Sequence, residues 1–226
     1  MELEIVLPEE VPVMTLPKVA FFPQAMMPLH IFEPRYQTML KDVLAADRLF
    51  AIAGLDEKRA AKTTQFEPPH QVASIGIVRA CQKNSDGTSD LLLQGLCRVR
   101  FTDILADEPY RRVRFRVLPS QTGDATKNER LRREVARLLA LKIKFGAAPS
   151  RDLYEFVRKI EDPEMFADLA AFSLCESPVL KQKLLETLDI HERLELLAGD
   201  VRHDIGQIKL RRLLQGLLPD DQIDRN

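Results

Sequence analysis

The stretch LPKVAFFPQAMMPLHIFEPRYQTML, Leu16 to Leu40, constrains the fold of this chain more than any other. Pro17, Pro23 and Pro28 forbid a continuous helix, and they push the residues before them into extended backbone. Phe21, Phe22, Met26, Met27, Leu29, Ile31 and Phe32 supply apolar mass. Pro34 then suits the first position of a helix that carries Arg35, Tyr36, Met39, Leu40 and Val43. The segment therefore reads as irregular extended chain followed by a helix. Phe22, Leu29, Ile31 and Phe32 are expected to be buried. The four residues between Pro23 and Pro28 have no period that would bury all of them, so Gln24, Met26 and Met27 are expected to reach solvent.

The remainder of the first half reads as short strands. Val11–Leu16 and Arg48–Gly54 are apolar runs. Ser74–Lys83 and Ser89–Gln94 flank Asn84-Ser85-Asp86-Gly87, and Asp-Gly between two such runs signals a hairpin. Arg98–Phe101 and Arg111–Val117 alternate, with Val99, Phe101, Val113, Phe115 and Val117 against Arg98, Arg100, Arg112, Arg114 and Arg116. Period two with one polar face predicts half-buried strands. Asp56–Pro69 is polar and aperiodic and reads as a loop. Many short strands around one core predict a small, partly closed barrel.

From about Ser120 the spacing becomes helical. Leu131, Val135, Leu138 and Leu139 share a face, as do Phe166, Leu169, Ala170 and Leu174 behind Asp162-Pro163. Ser177-Pro178 opens a helix carrying Leu180, Leu184, Leu185 and Leu188. Asp189 and Glu192 form a capping-box-like pair before Leu194, Leu197, Val201, Ile205 and Ile208, in a helix of over twenty residues. The fold class is α+β, with a β-rich subdomain over residues 1–120 and an α-helical subdomain over 121–226. Leu184, Leu185, Leu188, Leu194 and Leu197 are expected in a buried seam.

Two runs carry a resemblance to a known family. Leu16 to Tyr36 resembles the opening of the Lon substrate-binding (LON) domain, with its pattern P-L-x-x-V-x-F-P-G…P-L-H-I-F-E-P-R-Y. FADLAAFSLCESPVLKQKLLETLDIHERLELLAGDV resembles the C-terminal pattern of the same domain through Phe166, Asp168, Leu169, Ala170, Lys181, Gln182, Leu184, Leu185, Glu186, Arg193 and Leu194. The resemblance implies a PUA-like barrel followed by helices. Gln24 departs from the glycine that usually follows Phe-Pro, which implies a different backbone path or a less open loop. Lon proteases join this domain to an ATPase and a Ser-Lys peptidase. This chain has no G-x-x-x-x-G-K-[ST] motif, and no sequence beyond the final helix is left for the peptidase. The resemblance thus implies a stand-alone, non-catalytic module that recognises polypeptide segments or a partner protein and carries no cofactor.

Composition excludes several other classes. The 226 residues are 45% hydrophobic and 30% charged, with a net charge of −1, so no bulk field draws the molecule to nucleic acid or anionic membrane. Cys81, Cys97 and Cys175 are widely spaced and form no C-x-x-C pair, against a disulfide framework or a zinc site. The acidic N-terminus lacks the basic start of a secretory signal, and no apolar run reaches the ~20 residues that span a bilayer. A reducing cytoplasm is the expected setting.

The candidate residues each have a plain structural reading. His30 has no Ser or Cys nucleophile motif beside it and reads as structural. Glu33 and Arg35 read as a local ion pair at a helix start. His191, Glu192 and His203 miss the H-E-x-x-H spacing of a metal site. Phe21, Gln24, Met26 and Met27 are the candidate polypeptide-binding residues, because thioethers adapt to varied apolar partners. Arg98, Arg100, Arg112, Arg114 and Arg116 are the alternative, a basic stripe for RNA or another polyanion. A solvated face neutralised by Asp103, Asp107 and Glu108 is favoured over it, since no aromatic alternates with the arginines to stack bases.

Overall fold

The computed structural model describes residues 6–64, 66–145 and 151–216, apart from the side chains of residues 151, 215 and 216. Along the chain run β1 (Glu10–Leu16), β2 (Met26–Ile31), α1 (Pro34–Ala45), β3 (Leu49–Gly54), α2 (Glu57–Ala60), β4 (Val72–Lys83), β5 (Ser89–Ala106) and β6 (Arg112–Val117). The helices α3 (Ala125–Lys144), α4 (Arg151–Arg158), α5 (Pro163–Leu174), α6 (Pro178–Glu186) and α7 (Ile190–Gly216) follow. Strand thus gives way to helix where the change of spacing predicts it. The compact units group differently: Met1–Gln121 with Asp168–Leu188, and Thr122–Ala167 with Asp189–Asn226. Most of α5 and all of α6 therefore belong with the strands.

In the first unit the sheet order is β2-β5-β4-β3-β1-β6, and β6 also pairs with β5. Five strands thereby close into a ring, with β2 attached outside it. β1 and β3 run parallel, and every other pairing is antiparallel. β5 makes this possible. Its first half pairs with β2, its second half pairs with β6, and β4 follows it on the other side. The sequence reads as two strands here, but β5 is one strand of 18 residues. Register shifts at Ile75/Gly76, Val78/Ala80, Phe101/Asp103 and Ile104/Ala106 let it bend without ending. Val11, Val13, Leu49, Ala51, Ala53, Ala73, Ile75, Val99, Phe101 and Val113 fill the interior. The expected loop at Asp56–Pro69 contains the short α2, capped by the Asp56 carboxylate, which accepts from Arg59 N at 3.0 Å.

The second unit is helical. Asp124 caps α3 by accepting from Thr126 N and Lys127 N. Tyr154 on α4, a helix the sequence reading did not anticipate, donates to Ala136 O at 2.8 Å. Lys142 pairs with Asp204, joining α3 to α7. The leucines expected in one seam are divided by the grouping of the chain. Leu184 and Leu185 are buried in the first unit, Leu194 and Leu197 in the second, and Leu188 is half-buried.

Candidate functional site

The proline-punctuated segment is more regular than expected. Ala25 N donates to Phe22 O at 3.3 Å, and Gln24 has φ +62°. Proline second and a positive φ third make this a type II turn. Gln24 thus stands in left-handed backbone that glycine adopts without strain, which explains the glycine of the LON pattern at this point. The turn docks on β5 through Gly95. Gln24 N donates to Gly95 O, and Gly95 N donates to Ala25 O, both at 2.9 Å. A Cβ on Gly95 would lie 2.1 Å from Phe22 O, so only glycine fits.

The chain then becomes β2, paired with β5 from Met26↔Gln94 to Ile31↔Ser89. The expectation of an aperiodic loop is corrected here. Side chains alternate, with Met27 and Ile31 inward and Met26, Pro28 and His30 outward. Pro28 is tolerated because β2 lies at the end of the strand order, where a missing N–H breaks no ladder. A proline on such an edge also opposes the addition of a further strand.

This alternation sorts the candidate polypeptide-binding residues. Gln24 is exposed and Met26 is 42% exposed, as expected. Phe21 is completely buried, with its ring edge-on to Phe172 at 6.4 Å, and Met27 is only 8% exposed. Both are core residues, because each points into the sheet's covered face. Phe22 and Ile31 are buried as expected, whereas Leu29 is half-buried. Phe32, expected in the core, is 62% exposed. It lies past the strand end and stacks on His30 at 6.1 Å. Gln24, Met26, Pro28, His30 and Phe32 therefore form one exposed strip.

The strip is held firmly. His30 Nδ1 lies 2.7 Å from Asp90 Oδ1 across the strand pair, and Asn84 donates to the other Asp90 oxygen at 2.9 Å. The bonds from Asn84 and then His30 hold the Asp90 carboxyl below the usual range. Beyond the strip, Arg35 pairs with Glu33, the expected local partner, and with Glu67 at 2.9 Å. Its guanidinium lies 4.4 Å from the Tyr36 ring and 5.0 Å from the Phe66 ring. The Glu67 bond, ahead of the opposing effect of burial, raises its pKa. Glu67 and Phe66 come from the loop read as featureless, so nothing in the local pattern pointed to them.

The arginine face does not form as a unit. Arg98 is buried and ion-paired with Asp168, and Arg98 Nε donates to Leu185 O at 3.2 Å. Arg100 is half-buried opposite Arg116. Arg112, Arg114 and Arg116 are exposed on β6, where Arg112 pairs with Glu10, and Arg114 stands in register with Glu10 and Asp103. Burial raises the Cys97 thiol above its ordinary pKa, away from nucleophilic character. His191 Nδ1 contacts Asn128 at 3.1 Å. Among the described residues no group of three or more His, Cys, Asp or Glu could hold a metal ion.

A family model, the ATP-dependent protease La (LON) substrate-binding domain, matches residues 10–199. This chain belongs to the LON substrate-binding domain family. The LON domain described here is 28% identical over 225 residues to a Lon protease of Syntrophus aciditrophicus, covering 97% of this chain and 28% of that protein. It is 24% identical over 217 residues to a Lon protease of Desulfosudis oleivorans, covering 95% and 26%. The chain therefore spans about a quarter of these relatives' length. The N-terminal domain of the Mycobacterium avium complex Lon protease has the same fold. It superposes with a TM-score of 0.66 at 19% identity, over 85% of this LON domain and 98% of that chain. A Lon N-terminal domain protein from Xanthomonas campestris gives 0.61 at 18% identity, over 84% and 97%. No helix among the described residues is long and apolar enough to cross a membrane.

Proposed function

We propose that this LON domain recognises exposed apolar segments of polypeptide without catalysing a reaction on them. Membership of a substrate-binding family supports the class, and the strip on β2 supplies the surface. Met26 and Phe32 present 42% and 62% of their area to solvent beside fully packed neighbours. An apolar surface on a strand anchored through Gly95 is pre-ordered, so binding would freeze few side chains. Pro28 disfavours recognition by strand addition, which leaves side-chain packing against Met26, Pro28 and Phe32 as the mode. The same geometry counts against the polyanion alternative, since Arg98 is spent on Asp168 and Arg112 on Glu10.

Salt separates the two. Binding of a reduced, alkylated, unfolded protein should change little between about 50 and 200 mM salt, whereas polyanion binding through several phosphate contacts falls by about 10³-fold or more over that range. Steep loss of binding with salt would overturn the apolar reading.

A further inference from the structure

The strip on β2 is one margin of a wider surface. Pro28 stands in register with Leu92 on β5, and Leu92 with Ala80 on β4. β5 buries Leu91 and Leu93 on one side and turns Leu92 to the other, by the period of two of a strand. On that outer side Pro28 and Ala80 are exposed and Leu92 is half-buried. Three strands thus carry one apolar row, and Met26 extends it towards one end.

The two ends of this outer face differ in charge. Met26 stands in register with Gln94. The register shift between Val78 and Ala80 leaves Arg79 opposite no residue of β5, and its exposed side chain reaches Gln94, where Nε donates to Oε1 at 2.6 Å. Gln94 is neutral, so this bond leaves the guanidinium charge uncompensated. None of the ion pairs among the described residues uses Arg79. Asp47, which continues the Leu49↔Ile77 register towards Arg79, turns its carboxylate back to accept from Leu49 N at 3.1 Å.

At the other end His30 stands in register with Asp90, and Asp90 with Gln82. The carboxylates of Asp90 and of Asp86, in the hairpin turn, both interact with His30. His30 carries at most one positive charge against their two negative ones. Their other partners, Asn84 and Thr88, are neutral. Lys83 stands in register with Ser89, which alternation sets on the opposite side of the sheet. The outer face therefore runs from a cation, across an apolar centre, to an excess of carboxylate.

We infer that the outer face of β2, β5 and β4 selects extended polypeptide segments of the pattern acidic–x–apolar–x–basic, in either chain direction. Gln94, Leu92 and Asp90 follow one another at every second position of β5. An extended chain laid along them also turns every second side chain to one side, and its residues i and i+4 lie about 13 Å apart. Its acid meets Arg79, its central apolar residue packs on Pro28, Leu92 and Ala80, and its base meets Asp90 and Asp86. This selection rests on the reading of the β2 strip as a polypeptide-binding surface, and it names the segments which that surface takes.

The test is fluorescence anisotropy at low ionic strength, where exposed charges are least screened. Four decapeptides, amidated and labelled with a neutral dye, share a Leu-Phe-Leu centre flanked by Asp and Arg, by Arg and Arg, by Asp and Asp, or by Ser and Ser. The Asp/Arg peptide should bind at least about threefold more tightly than Arg/Arg or Asp/Asp, the scale of exposed ion pairs, because each of those sets like charges together at one end. Arg79→Glu makes both ends acidic and should move the preference to Arg/Arg by a similar factor, at an unchanged melting temperature. A parent that binds Arg/Arg or Asp/Asp as tightly as Asp/Arg, or an Arg79→Glu variant that keeps the parent's order, overturns the inference. If all four peptides bind alike, or if only the unfolded protein of the salt test binds, the charge selection alone fails. If neither the peptides nor the unfolded protein bind, the polypeptide-recognition reading fails with it.

Discussion

Arg98 on β5 and Asp168 on α5 form an ion pair in which each side chain is only 2% exposed. Arg98 also donates to Leu185 O and lies 5.9 Å from the Phe22 ring. One guanidinium thus joins β5, α5, α6 and the turn that leads into β2. Removing one partner of a buried pair leaves an uncompensated charge, so Asp168→Ala should destabilise the fold by about 3–5 kcal/mol in urea denaturation. A loss below about 1 kcal/mol, the scale of a surface pair, would mean that water reaches this pair.

The turn at Pro23-Gln24 predicts opposite results at two positions. Gln24→Gly relieves left-handed strain and should hold or raise stability, by up to about 1 kcal/mol, the usual penalty for a side chain there being ~1–2. Gly95→Ala should destabilise strongly, because backbone atoms of Phe22 and Pro23 occupy the space of the new methyl. The denaturation midpoints of both variants check the docking of this turn.

These two positions also show what the sequence could reveal. The glycine missing at position 24 was visible from the motif, and the positive φ gives its physical reason. β2 was hidden because Pro23 and Pro28 look like strand breakers and because Met26 and Phe32 put apolar groups on both faces. Period two in MMPLHI is real, but apolar residues on the outer side blur it. Arg98 falls in step with the other arginines, and only a partner far away in the chain, Asp168, turns it inward. β5 was divided at Gly95, where the glycine marks a docking point within a continuous strand. Helix starts at Pro34 and Ser177-Pro178 were legible because their signals are local.

Packing in the helices gives a separate check. Leu185 and Leu194 are buried, in different units. Leu185→Ala and Leu194→Ala should each cost about 2–5 kcal/mol. An unchanged midpoint in both would contradict the assigned faces.

Glu129 on α3 sets a pH dependence. Hydrogen bonds from Arg132 and then Arg133 lower its pKa from 4.5 to about 2. A lowered folded-state pKa adds stability that is present above the ordinary value and lost as the pH falls through the folded one. Glu129→Gln should therefore be less stable than the parent at pH 7, with the gap closing between pH 4.5 and about 2. A gap that widens on acidification would reverse this assignment.

The outer strip of β2 is the proposed polypeptide-binding surface. Met26→Asp combined with Phe32→Asp changes two exposed side chains and should leave the melting temperature nearly unchanged. The measurement is the Kd of this variant for a reduced, alkylated, unfolded protein, beside that of the parent. The expected Kd is at least about tenfold higher, the scale of losing one or more apolar anchors. A folded variant that binds with the parent's Kd would contradict it.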